Sequence, residues 1–211
     1  MSVNLNYFSK INTRAKAYIL GYIAGDGYVY SNGNSYYVSI NSIDLDILEY
    51  IKEQLKYDGK IREYKKGMHT LRICGKQLVD DLAKYGVVQK KSKITKFPEQ
   101  LSKNLQLAFI AGIFDADGSI HVPEDNYKWR RFRRINFSGS KNMILGIKQV
   151  LESVGFSKIK LKVDPKTYIL QYVTKHVELF YKKIYSKSPY RLKRKEKKFT
   201  DNEIVRLSLF G

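Results

Sequence analysis

The chain has 211 residues, 43% of them hydrophobic and 17 of them tyrosine, which excludes a disordered polymer and allows one large domain or two small ones. A formal charge of +19 suits a polyanionic partner, because each neutralised phosphate releases condensed counterions. The single cysteine, Cys74, excludes a disulfide framework and a cysteine-based zinc site; within Leu71-Arg72-Ile73-Cys74 it reads as a small buried apolar residue.

Met1 to Asn6 lack the basic and apolar regions of a signal peptide, and no apolar run approaches the ~20 residues of a membrane span. The expectation is an intracellular protein with no membrane partner, cytoplasmic or, if organelle-encoded, organellar. Asn12 or Thr13 is placed to cap a helix over residues 15–25, which Gly27 ends in the left-handed conformation that glycine tolerates. Residues 28–30 and 36–41 form a hairpin pair around Ser31 to Asn34. Leu45, Leu48, Ile51 and Leu55 have helical spacing, so residues 44–55 are a helix. Residues 60–65 and 70–73 form a second hairpin around Lys66 and Gly67, and residues 77–85 form an amphipathic helix. Residues 89–102 are a linker carrying Pro98.

The same order then returns. Helix 105–116 is followed by strands 119–122 and 131–137, helix 141–154, strands 158–163 and 168–173, and helix 176–185. The chain is therefore α+β, an αββαββα unit occurring twice. The first unit with the start of the linker occupies 1–95. The second, with its basic tail from Ser188 to Lys198 and a short apolar end at 204–210, occupies 96–211.

The repeat is sharpest at residues 19–27 and 110–118. Both read as an apolar pair, glycine, an apolar pair, two further residues and Asp-Gly, with Asp26 and Asp117 in the same place. Gly21 and Gly25 are four apart, as are Gly112 and Ala116, so small residues share one helical face and let two backbones approach. If the helices pack through these faces, their C-termini meet and the two aspartates lie side by side. That is costly, because like charges repel and each helix dipole is already negative at its C-terminus. Divalent cations shared between the carboxylates remove the cost. Mg²⁺ prefers oxygen ligands and substrate phosphate, and paired metals can stabilise both the attacking and the leaving oxygen of phosphodiester cleavage.

These two segments resemble the signature motifs of LAGLIDADG homing endonucleases in the single-chain, two-motif form. The resemblance runs from about Ala17 to about Phe199. Ala24 stands where Asp115 stands in the second motif, a departure that leaves the acidic eighth positions, Asp26 and Asp117, intact. The resemblance implies a pseudo-twofold, functionally monomeric, intron-encoded protein with the motif helices at its interface. Its two sheets would form a saddle over the DNA major groove, and both strands of a long asymmetric site would be cut, leaving 3′ overhangs. It further implies Mg²⁺, or another divalent cation such as Mn²⁺, held at Asp26 and Asp117 with Gly25 and Ala116 beside them. Asn41 and Ser138 would orient water. Lys91 and Lys195, with Lys193 as the alternative to Lys195, would stabilise charge on the phosphate.

A strand with one buried face turns alternate residues outward. Lys158, Lys160 and Lys162 then oppose Ile159, Leu161 and Val163; Arg62 and Tyr64 alternate with Ile61, and Arg72 with Leu71 and Ile73. Arginine suits guanine and asparagine suits adenine, while lysine more often meets phosphate. Asn32 and Asn34 in the first hairpin turn, Tyr30 and its counterpart His121, and Arg130 and Arg134 in the basic, aromatic run 128–134 complete the candidate DNA surface. The three histidines are scattered, so neither a zinc site nor a histidine nucleophile is expected. The reading is a divalent-metal-dependent, site-specific DNA endonuclease. The rival readings are an intron RNA maturase and a non-catalytic DNA-binding protein; the intact acidic pair favours the nuclease.

Overall fold

A computed structural model describes residues 2–89, 95–122, 133–165 and 167–200. The candidates Lys91 and Arg130 lie outside these residues. Helix α1 (Arg14–Asp26) is capped by Thr13, whose Oγ1 accepts from the Lys16 amide at 3.3 Å. It runs directly into β1 (Gly27–Ser31), followed by β2 (Tyr36–Ser42), α2 (Leu45–Gln54), β3 (Arg62–Lys65), β4 (Met68–Cys74) and α3 (Lys76–Lys84). The second unit repeats the plan as α4 (Lys103–Ala116), β5 (Ser119–His121), β6 (Arg134–Gly139), α5 (Lys141–Ser153), β7 (Lys162–Asp164), β8 (Thr167–Val173) and α6 (Lys175–Phe180). Each unit holds a four-stranded antiparallel sheet, ordered β1-β2-β4-β3 and β5-β6-β8-β7.

The core is centred on α1 and α4, whose residues from Ala17 to Ala24 and from Ala108 to Asp115 are buried. Their backbones touch. A Cβ placed on Gly21 would run into the Phe109 carbonyl, one on Gly112 into the Tyr18 carbonyl, and one on Gly25 into Ala116 Cβ. Only glycine permits this approach, which is what the four-residue spacing of small residues indicates.

Several expectations need correction. Gly27 is extended, with φ −71° and ψ 146°, and not left-handed. A side chain is excluded there because a Cβ would sit 2.6 Å from Ile23 O, and at Gly118 one would sit 2.7 Å from Phe114 O. Cys74 is exposed, because strand alternation puts it on the face of Arg72 and not with Leu71 and Ile73. Strand β7 begins only at Lys162, so exposed Lys158 and Lys160 precede it; Ile159 and Leu161 pack on the core, but Val163 is 70% exposed. The helix expected over 176–185 is α6 followed by a π-helical turn, Tyr181–Tyr185. The basic tail holds an unexpected helix, α7 (Lys193–Thr200), which buries Lys195 and Phe199, with Leu192 buried just before it.

Candidate active site

Asp26 ends α1 and Asp117 follows α4, and both are exposed. The contact of the two last helical turns sets Asp117 beside Gly25, the residue before Asp26: a Cβ on Gly25 would lie 3.2 Å from Asp117 Oδ2. Strand pairing then adds polar side chains. Gly27 pairs with Ile40 and Ser119 with Asn136, so Asn41 is the next residue after the partner of Gly27, which itself follows Asp26, and Ser138 lines one cavity wall together with Asp117. Both Asn41 and Ser138 are exposed. A cavity of about 340 Å³ adjoins the second-unit side, with Gly25, Asp117, Ser138, Thr95 and Thr167 in its wall.

Lys195 reaches this centre from beneath. It is only 5% exposed, and its Nζ donates to Phe114 O at 2.6 Å, Asp115 O at 2.9 Å and Gly118 O at 2.6 Å. All three ammonium protons therefore go to carbonyls at the C-terminal end of α4, where a cation also meets the negative end of the helix dipole. Burial lowers its pKa to about 8, against the opposing attraction of Asp115, Asp26 and Asp117. In this geometry the Lys195 ammonium is bound to the turn that carries Asp117. Lys193 points elsewhere, exposed and 3.7 Å from Asp46.

Asp115, one helical position from the turn, was not singled out by the sequence as a structural group. It is fully buried. Oδ2 accepts from the Tyr18 hydroxyl at 2.6 Å and the Leu192 amide at 3.2 Å, and Oδ1 accepts from the Tyr185 hydroxyl at 2.6 Å. Burial raises its pKa to about 6, and these hydrogen bonds with the Lys195 charge limit the rise. The first motif, with Ala24 here, has no such group. The signal available was the mismatch between the two motifs at a position inside an otherwise apolar helix.

The pair of carboxylates fits a hard divalent cation. Both are exposed and they come from different units. Among the described residues no group of three or more His, Cys, Asp and Glu side chains gathers to bind a metal; a cation here would have to be held by the two carboxylates and by backbone oxygens such as those of Gly25 and Ala116.

A family model described as the LAGLIDADG-like domain matches residues 14–85 and 104–186, one match to each unit. The chain belongs to the LAGLIDADG family. Among curated proteins it is 27% identical to a DNA polymerase of Thermococcus kodakarensis over 158 residues, which is 72% of this chain and 9% of the polymerase. It is 26% identical to the RNA polymerase subunit Rpo1C of Methanocaldococcus jannaschii over 173 residues, which is 79% of this chain and 19% of the subunit. The chain thus spans a small part of each of these relatives. The fold is that of the LAGLIDADG meganuclease I-AabMI bound to uncleaved DNA, with a TM-score of 0.60, 17% identity, and 92% and 90% of the two chains covered. The homing endonuclease I-LtrWI bound to target DNA also gives 0.60, at 11% identity and 97% of each chain. I-DmoI in complex with DNA and Mn gives 0.57, at 19% identity, covering 82% of this chain and 97% of that one.

In this LAGLIDADG protein the outer sheet faces differ between units. On the first, Tyr28, Tyr30 and Tyr37 cluster, with Tyr30 and Tyr37 stacked at 4.9 Å and the Arg72 guanidinium 4.5 Å from the Tyr37 ring. Arg62 is exposed opposite Thr70, but a bulge between Glu63 and Lys65 breaks the alternation used to pair it with Tyr64. Asn32 is committed to its turn: Oδ1 accepts from the amides of Asn34 and Ser35, and Nδ2 donates to Tyr30. Asn34 remains exposed at the tip. On the second face His121 pairs with Arg134, and Lys162 is exposed. Arg133, next to Arg134, is instead buried and binds Glu178 and the Phe199 carbonyl. The sequence reading missed Asn136 and Gln171, which lie on this outer face.

Proposed function

We propose that the chain is a site-specific, double-strand DNA endonuclease that acts as a monomer with Mg²⁺ or Mn²⁺. The observation that carries this reading is the placement of Asp26 and Asp117 at the adjoining ends of two helices in backbone contact, with Asp117 against Gly25. Two carboxylates at adjoining helix C-termini suit a divalent cation held between them. A divalent metal held by both carboxylates would supply the Lewis acid and lower the pKa of the attacking water. Asn41 and Ser138 would orient water, one in each unit. Lys195 and the close approach of the motif helices, Gly21 to Phe109 and Gly112 to Tyr18, would hold the carboxylates in register. The charge of +19, the exposed Arg72 and Lys162 and the half-buried Arg134 suit a DNA phosphate and base-edge surface. Among the described residues no helix is long and apolar enough to cross a membrane. An intracellular site of action, with the gene carried in an intron, goes with this reading.

Asp26→Asn and Asp117→Asn test it on a plasmid library of randomised duplex inserts. Each variant should cut at least ~10²-fold more slowly than wild type in Mg²⁺, the scale of losing one preorganised electrostatic contact. Binding to duplex DNA in Ca²⁺ should persist. Wild-type cleavage by either variant would end the shared-site reading.

A further inference from the structure

On the outer face of the second sheet, four side chains from four adjacent strands form one hydrogen-bonded row. Lys162 Nζ on β7 donates to Gln171 Oε1 on β8 at 2.8 Å. Gln171 Nε2 donates to Asn136 Oδ1 on β6 at 2.8 Å, and Asn136 Nδ2 donates to Ser119 Oγ on β5 at 3.2 Å. The ladder sets Ser119 opposite Asn136 and Asn136 opposite Gln171. Their strand neighbours Ile120, Ile135, Phe137, Leu170 and Tyr172 are buried, so the row faces away from the core. It starts two residues beyond Asp117 and therefore lies next to the candidate active site.

The direction of the row follows from its chemistry. A lysine ammonium only donates, so it holds the Gln171 oxygen toward β7. Gln171 must then offer its nitrogen to Asn136, and Asn136 its nitrogen to Ser119. Neither amide can flip without placing donor against donor. Each spends one N–H and one lone pair along the row and keeps one of each. One donor beside one acceptor is the complement of the adenine major-groove edge, which offers N7 as acceptor and N6 as donor.

The matching row of the first unit is Tyr28, Ser39 and Arg72, by the same register. Arg72 has five donors and no acceptor, and it is held against Tyr37. That pattern suits guanine O6 and N7. The two units therefore present different patterns at equivalent places.

We propose that the Ser119–Asn136–Gln171–Lys162 row is the adenine-reading surface of the second half-site. Asn136 and Gln171 read the base, and Lys162 is a positioning residue that sets the polarity of both amides. This rests on the endonuclease reading above.

The test is selection of a randomised duplex library by the full chain in Ca²⁺, with sequencing of the bound fraction at several salt concentrations. Wild type should enrich adenine at one or two adjacent positions in one half of the site only. Gln171→Glu exchanges the donor for an acceptor and should move the preference at that position from adenine to cytosine, by roughly 5- to 150-fold. Lys162→Met should weaken the adenine preference at the same position, and Lys162→Arg, still donor-only, should keep it. A lysine that merely meets phosphate would behave differently: the methionine variant would bind all sequences more weakly, lose about one unit of salt slope and keep its profile. That result, or a sharp wild-type profile left unchanged by Gln171→Glu and Asn136→Asp, overturns the proposal. A wild type with no preferred sequence at all would overturn the endonuclease reading itself.

Discussion

Asp26 and Asp117 can be found from the sequence because the chain repeats them, whereas Asp115 and Lys195 cannot, because their partners are remote in the chain. Asp115 depends on Tyr18, Tyr185 and Leu192, and Lys195 on three carbonyls some 80 residues earlier. A lysine inside a basic run carries no local mark of burial. The Asp115 environment also makes the stability of the fold depend on pH. Its folded pKa, about 6, lies above the ordinary 3.8, so between these values the folded state binds more protons than the unfolded one. Its contribution to stability is therefore fully present below 3.8 and lost as pH rises through about 6. Urea unfolding of wild type and Asp115→Asn across this range isolates the group from other carboxylates. Wild type should lose stability relative to the variant as pH rises; a pH-independent difference would show that Asp115 ionises as if in water.

At the scale of elements, the helices and hairpins were legible because they are local. Apolar spacing located α2 and α5, and glycines at φ 86° and 74° turn the hairpins at Gly33 and Gly67. β7 was overextended because Lys158 to Lys162 alternate in sequence while only Lys162–Asp164 pair with β8. α7 was missed because Leu192, Lys195 and Phe199 keep helical spacing with a lysine at the middle buried position, which a search for apolar periodicity passes over. The α1–α4 crossing was legible in its small residues, and it makes the sharpest element-scale prediction. Even a single methyl group at Gly21 or Gly112 would overlap a carbonyl of the other helix. Gly21→Ala and Gly112→Ala should each lose about 1–3 kcal/mol by overpacking, and the helix ends should move apart with their carboxylates. Cleavage should fall with stability in both. Melting curves and rates that match wild type would mean that the helices part at no cost there.

Across the whole molecule, the tail binds the two units together. Tyr190 stacks on Tyr50 of α2 at 4.7 Å, and the Arg194 Nε reaches both carboxylate oxygens of Asp44, at 3.2 and 2.8 Å. At the opposite ends of the motif helices, Arg14 donates to the carbonyls of Asn104 and Lys187. Two motifs in one chain already supply both halves of the helix interface, so sedimentation should find one chain per DNA duplex. The tail's contribution can be divided by its burial. Arg194 is half-exposed, and Arg194→Ala should cost no more than about 1 kcal/mol. Ending the chain after Ser188 is a different perturbation. It removes the Leu192 amide from Asp115, the Lys195 ammonium from three carbonyls, and Phe199 from its stack near Phe114 and Phe180. A buried carboxylate that loses its compensating charge and a hydrogen bond costs about 3–5 kcal/mol. The truncated chain should therefore melt at a markedly lower temperature. Its cleavage should fall further than the melting shift explains, since the turn carrying Asp117 is no longer held. Measuring both at a temperature where the truncated chain is still folded separates the two effects. A folded, truncated protein that cuts as fast as the full chain would show that Asp117 is positioned by α4 alone and that the tail only adds stability.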